Sequence, residues 1–250
     1  MTITRRLRTA RGLLGGLAAT SAAHLGAIAT GASALQLATK PALMPLLAAH
    51  TLARAERTPR LLTSALAAST GGDVLLQVGG DTAFLAGMGS FAAAHVCYVT
   101  MFVKQGALDD RRRTALIAAA YAAAWAAMVS QLWPGLGDLK IPVALYSLLL
   151  ASTAVTSSGL GWRTGLGGAL FLLSDTLIAT QLAGWRELPG HEFWIMATYI
   201  AAQYLLAVGT LRAQSADSPK AAGAADGTAA EAGPHGARTP LSAPVHSTGR

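Results

Sequence analysis

The chain has 250 residues, of which 52% are hydrophobic and only 12% charged, with a formal net charge of +7. That balance excludes an ordinary soluble domain and reads as a polytopic membrane protein. The positive charge does not read as a nucleic-acid face: aromatic residues make up 6% of the chain and the arginines fall between apolar runs. The one cysteine, Cys97, sits inside an apolar run, so neither an internal disulfide nor a cysteine metal cluster is available.

In chain order, apolar runs able to cross about 30 Å of hydrocarbon fall near residues 12–32, 36–53, 61–78, 82–103, 114–131, 141–158, 163–183 and 192–210. Pro, Gly or charge separates them: Arg54 to Arg60, Gly79-Gly80-Asp81, Asp109 to Arg113, Trp133-Pro134-Gly135, and Trp185 to Pro189. The expected fold is all-α, a polytopic transmembrane bundle of about eight spans with neighbouring helices antiparallel.

Arg5, Arg6, Arg8 and Arg11 precede the first run, Arg54, Arg57 and Arg60 follow the second, and Lys104 and Arg111 to Arg113 follow the fourth. Arg163 and Arg212 mark the remaining even-numbered exits, and the other side carries only Lys40, Lys140 and Arg186. This asymmetry predicts both termini in the cytoplasm of a multi-pass protein of the cell membrane. A basic start, an apolar run and Ala32-Ser33-Ala34 also fit a cleaved signal peptide, but the run is longer than a usual signal core, which favours a retained helix. The resulting division is a basic cytoplasmic N-terminus over 1–11, an eight-helix domain over 12–211 and a tail over 212–250. That tail of Ala, Gly, Pro and Ser reads as disordered.

Several runs carry polar residues at helical spacing. Ser69, Thr70, Asp73 and Gln77 share one face of the third, and Met88, Phe91, His95, Tyr98 and Phe102 form a stripe on the fourth. Tyr146, Thr153 and Ser157 do the same on the sixth, and Glu192, Met196, Tyr199 and Gln203 on the eighth. Singly, such residues serve as interhelical hydrogen-bonders, and the series Gly161, Gly165, Ala169 is explained by close helix packing. Asp73 and Asp175 are different. A charge at bilayer depth costs about 3 to more than 10 kcal/mol, and neither aspartate has a Lys or Arg within a turn.

A short internal repeat lays ATKPALMPLL (38–47) on DLKIPVALYSLLL (138–150) and GDVLLQ on SDTLIATQ, matching Lys40 with Lys140 and Asp73 with Asp175. Sites in repeat-built membrane proteins form where the halves meet, which predicts that both carboxylates face a common interior. Basic residues at the interface above carboxylates at depth suit an amphiphile with an anionic headgroup; equally, the two lysines snorkel and anchor their helices.

The motifs TKPALMPLL, GDVLL, FLAGMGSFAAAHVCYV, KIPVALY, GGALFLLSDTLIA and TYIAAQYLL, in this order over residues 36 to 208, resemble those of the YhhN-like family, the lysoplasmalogenases. The resemblance implies an integral-membrane ether hydrolase that cleaves the alkenyl ether of a lysoplasmalogen to a fatty aldehyde and glycerophospho-ethanolamine or glycerophospho-choline. It places polar signature residues at Lys40, Asp73, His95, Tyr98, Tyr146, Asp175, Tyr199 and Gln203. Its implied partners are a lysophospholipid or related amphiphile and the bilayer, with no nucleic acid, and it requires no cofactor.

Vinyl ether hydrolysis needs a proton delivered to carbon and stabilisation of the oxocarbenium-like cation that results, a task glycosidases perform with two carboxyl groups. The expected pair is Asp73 and Asp175. Asp175, among Leu173, Leu177 and Ile178, suits the neutral acid, since apolar surroundings favour an uncharged carboxyl. Asp73, on a Ser/Thr/Gln face, suits the ionised partner, and the reverse assignment stays open. Lys40, Lys140, His95, Tyr98, Tyr146, Tyr199 and Gln203 are the expected substrate-binding set. Two other mechanisms remain open: a zinc hydrolase using His24, His50 and His95, which lie on separate helices without motif spacing, and a small-solute or proton-coupled transporter.

Overall fold

The computed structural model describes residues 3–55 and 58–216. Among them are eight α-helices and no strand: α1 (Ile3–Thr30), α2 (Ser33–Arg54), α3 (Arg60–Val78), α4 (Asp81–Lys104), α5 (Arg111–Leu132), α6 (Lys140–Gly159), α7 (Trp162–Leu182) and α8 (His191–Ala216). They build a unit spanning Met1–Gln214; of the second unit, Ser215–Arg250, only the last residues of α8 are described. Arg57 and, from residue 217 onward, the expected tail lie outside the described residues.

Each helix coincides with one predicted apolar run to within a few residues, except at the two ends of the bundle's chain. There α1 starts at Ile3 and α8 continues to Ala216. Arginine is a good helix former and its long stem carries the charge outward, so the basic stretch around Arg5 to Arg11 extends the helix instead of ending it. Seven of the helices are long and apolar enough to cross a membrane. The remaining one, α2, rises about 33 Å over its 22 residues but carries Lys40, Pro41, Pro45 and His50. It packs between α1 and α3 and turns Leu43, Met44, Leu47, His50 and Thr51 inward at spacings of three and four, the signature of one buried helical face.

The connections are short, and glycine makes one of the tightest possible. Gly79 and Gly80 stand at φ of 80° and 83°, in the left-handed region that side chains avoid, and so reverse the chain between α3 and α4. Asp110 caps α5 by accepting from the Arg113 backbone N–H at 3.0 Å, and two short 3₁₀ turns, Trp133–Gly135 and Gly137–Leu139, join α5 to α6.

Cross-helix contacts show the alternation of direction. His24 meets Thr39 near the α1–α2 turn while His50 meets the carbonyl of Ala10 at the far end. Likewise Tyr146 and Ser157 of α6 lie against Asp175 and Gly168 of α7, and Ile195 and Gly209 of α8 lie against Ser174 and Thr164 of α7. The bundle therefore has a basic end, with the start of α1 and the α2–α3, α4–α5 and α6–α7 connections. Its opposite end carries the α1–α2, α3–α4, α5–α6 and α7–α8 connections.

Helix α8 is the centre of the arrangement, bonded to α3 through Tyr199 and Gln203, to α4 through Gln203 and to α7 through Ile195. Helix α5 is peripheral: it packs on α6, where the Trp125 indole donates to Ser147 at 2.9 Å, and exposes most of its alanine-rich surface.

Candidate active site

Asp73 and Asp175 sit on α3 and α7, which approach through α8 and α6 and not by sequence proximity. Both line one cavity, together with Lys40, Tyr146 and Tyr199. Asp73 is 2% exposed, a depth at which an unsatisfied carboxyl would be prohibitive, and Tyr199 donates to its Oδ2 at 2.8 Å. Asp175 receives the hydroxyl of Tyr146 on its own Oδ2. In both residues the hydrogen bonds among the described residues engage only Oδ2. The charges of the two carboxyl groups are close enough to influence each other, and Lys40 is the countercharge felt by Asp73.

Between the carboxyl groups lies an aromatic cluster. Phe171 meets His95 at 4.5 Å and Tyr199 at 5.5 Å between ring centroids, Phe91 meets Tyr199 at 5.9 Å, and His95 meets Tyr146 at 5.9 Å, all edge to face. These rings fix the two tyrosines whose hydroxyls hold the aspartates. Most of the rest of the wall is apolar, with Phe84, Met88, Met128, Val143, Ile178 and Leu182 toward the opposite end and Phe91, Leu150 and Leu172 deeper in the bundle. The cavity thus sets a few polar groups within a mostly apolar wall, the pattern of a site for an amphiphile.

The expected substrate-binding residues divide into three groups. Lys40, Tyr146 and Tyr199 line the cavity. His95, Tyr98 and Gln203 lie behind it, each fully buried: Tyr98 donates to Gln203 Oε1 at 2.6 Å, Gln203 Nε2 donates to Ser69 Oγ at 2.9 Å and reaches Tyr199 Oη at 3.4 Å, and His95 Nδ1 pairs with Thr153 at 3.0 Å. Lys140 stands apart, its ammonium 6.0 Å from the Trp133 ring centroid, at the snorkelling position. The paired lysines of the repeat are therefore not equivalent: Lys40, the eighth residue of α2, reaches the cavity and Lys140, the first residue of α6, does not.

Sequence reading missed Ser147, Ser174 and Thr176 on the wall, and most of its apolar residues. Ser174 binds the carbonyl of Ile195 at 3.0 Å and Thr176 contacts the Met128 sulfur at 3.1 Å, so these hydroxyls are occupied in helix packing. Leucine and methionine in a membrane helix carry no signal that separates a cavity wall from a lipid-facing surface. The three histidines considered for zinc go to separate partners, Thr39, Ala10 and Thr153, and do not converge.

A model of the YhhN family matches residues 35–210, from the start of α2 to the last turns of α8. The chain is a member of the YhhN family. This YhhN protein is 34% identical over 157 residues to the human lysoplasmalogenase TMEM86B, a match covering 61% of the chain and 64% of the human protein. It is 33% identical over 198 residues to a lysoplasmalogenase of Mycobacterium bovis, covering 74% and 73%. The chain thus spans a little under two thirds of the human relative's length. No solved structure matches it. The helix α1 precedes the matched region, so the candidate site of this YhhN protein lies wholly within the family portion.

Proposed function

We propose that this protein is an integral-membrane hydrolase of the cell membrane that cleaves the vinyl ether bond of lysoplasmalogen-type lysolipids. The observation that carries the reading is the convergence of Asp73 and Asp175 on one mostly apolar cavity, each with one oxygen held by a tyrosine. The lysoplasmalogenase names of its relatives support the substrate class.

In the proposed reaction Asp175 gives its proton to the double-bond carbon farther from the ether oxygen, and that oxygen shares the positive charge that develops on the adjacent carbon. Asp73, which feels the positive charge of Lys40, is assigned the ionised role and faces that cation. The rings of Phe91 and Tyr199 on the same wall offer it further electrostatic stabilisation. Water then adds to the cationic carbon, losing a proton to a carboxylate, and the hemiacetal collapses to a fatty aldehyde and the glycerol hydroxyl of the glycerophospho-headgroup. Each turnover returns the protons it takes, so neither an oxidant nor a reductant is needed. Lys40 is assigned to the phosphate, while the deeper apolar part of the wall, with Phe91, Leu150 and Leu172, accepts the alkenyl chain.

The test is mass spectrometry of detergent-purified protein incubated with a lysoplasmalogen. Free fatty aldehyde is expected from wild type, and a loss on the order of 10²-fold or more from Asp73→Asn and Asp175→Asn with helical content and gel-filtration profile unchanged. Intact lysolipid after incubation with wild type defeats the hydrolase reading and favours a transporter, which cannot reveal itself without a sealed membrane. Full turnover by folded Asp175→Asn defeats the assignment of the acid.

A further inference from the structure

The cavity is not at mid-depth in the bundle. Asp73 lies five residues before the end of α3, Tyr146 six residues into α6, Lys40 seven residues into α2, Asp175 seven residues before the end of α7 and Tyr199 eight residues into α8. All five measure from the opposite end of the bundle, not the basic end. At about 1.5 Å per residue they lie about 8 to 12 Å below it, inside the nearer half of a hydrocarbon core about 30 Å thick. Trp133, Trp185 and Trp194, each at least 37% exposed, stand at the same end and mark a membrane–water interface, where tryptophan concentrates.

Charge orients this end. Among the described residues up to Arg212, twelve of the fifteen lysines and arginines are at the basic end; Lys40, Lys140 and Arg186 are the exceptions. Lys40 faces the cavity and Lys140 lies beside Trp133, so even two of these three have local roles. The connections at the basic end are short enough for the positive-inside rule to act on them, and that rule places the basic end in the cytoplasm.

We infer that the site opens to the outer leaflet and takes single-chain phospholipids whose headgroup lies on the non-cytoplasmic side of the membrane. This rests on the lysolipid reading above for the ligand, while the orientation rests on charge and helix geometry alone. A lysolipid in that leaflet needs only to sink by about 8 to 12 Å along the cavity for its glycerol region to reach Lys40 and the two carboxyl groups, so it enters without its phosphate crossing the bilayer midplane. A lysolipid of the inner leaflet must cross before it can react.

Orientation is read first, without activity. In a Cys97→Ser background, Asp138→Cys places an exposed thiol in the α5–α6 connection and Asp109→Cys places one in the α4–α5 connection. A membrane-impermeant maleimide added to intact spheroplasts is expected to label the first, and to label the second only after permeabilisation. The reverse pattern overturns the inference. Substrate sidedness is read next, with lysoplasmenyl-ethanolamine added briefly to sealed right-side-out and inside-out vesicles carrying equal amounts of protein. Aldehyde is expected at least tenfold faster from the right-side-out preparation, and equal or inverted rates overturn the leaflet assignment. Absence of aldehyde from both vesicles and from detergent solution refutes the hydrolase reading instead, and the labelling pattern still decides the orientation.

Discussion

The phenol of Tyr146 on α6 donates its proton to Oδ2 of Asp175 on α7, and so ties the candidate acid to a ring that itself packs edge to face on His95. The bond occupies one carboxyl oxygen and sets the direction of the other. Tyr146→Phe keeps the ring and removes only the donor. As Asp175 gives up its proton this becomes a hydrogen bond to a charged group, which contributes about 1.5 to 3 kcal/mol in the transition state, so the expected result is a fall in kcat of about 10- to 100-fold with KM nearly unchanged. In an Asp175→Asn background the same change should cost little more, because the tyrosine acts through the aspartate. Steady-state aldehyde release from the single and double variants checks both statements; an additive double variant would show that Tyr146 acts independently.

Lys40 and Lys140 offer a comparison in which sequence and structure point differently. The repeat makes them equivalent, whereas only Lys40 lines the cavity. Lys40→Met is expected to raise KM for a phospholipid at least tenfold and to lower kcat, since it removes both a phosphate contact and the countercharge of Asp73. Lys140→Met, which ends a contact with Trp133 near the interface, is expected to leave both constants within about twofold of wild type. Kinetics on lysolipid in mixed micelles separates the two, and equal effects would restore the symmetric reading.

How much of this was legible beforehand follows from what each residue type can signal. Helix positions were, because a run of about twenty apolar residues and its glycine, proline or charged punctuation are local properties. The carboxylate pair was also legible, because an aspartate such as Asp73 or Asp175 is too costly in a membrane helix to be incidental. The pairing of side chains was not. Tyr98, Tyr199 and Gln203 carry the same kind of signal in the sequence, yet Tyr199 faces the cavity while Tyr98 and Gln203 are buried behind it. Tyr199 and Gln203 share one face of α8, so what separates them is how deep the cavity reaches along that helix, and for Tyr98 it is how α4 is rotated; periodicity within one helix encodes neither.

Gln203 is the clearest case of a residue whose importance is expected to lie in stability. Its amide accepts from Tyr98 and donates to Ser69, joining α8 to α4 and α3. Gln203→Leu leaves the Tyr98 hydroxyl and Ser69 without that partner in an apolar interior, at a cost of about 1 to 3 kcal/mol. The expected outcome is a lower Tm in detergent, with residual activity per folded molecule reduced less than by either aspartate substitution. Tyr98→Phe, which removes one bond and keeps the stacked ring against Phe102, should fall between Gln203→Leu and wild type. Thermal unfolding followed by circular dichroism, paired with specific activity, makes the check; unchanged Tm with abolished activity would assign Gln203 to substrate instead.

Close packing of α7 against α6 sets the angle at which Asp175 meets Tyr146, and Gly168 permits that approach. A Cβ on this residue would come within 2.9 Å of the Ala154 Cα and still closer to Ser157 Oγ. The backbone of α6 cannot retreat without moving Tyr146, which lies on the same helix two turns nearer the opposite end. Gly168→Val is therefore expected to separate the helices, lower Tm and reduce kcat together, because overpacking in a close-packed interior costs about 1 to 3 kcal/mol. Gly15→Ala on α1, where an added Cβ meets nothing within 4 Å, is the matched control and should leave both properties unchanged. A Gly168→Val protein with wild-type kcat and reduced Tm would show that the Tyr146–Asp175 contact tolerates helix displacement, and would place the catalytic demand on local side-chain freedom instead of on the α6–α7 interface.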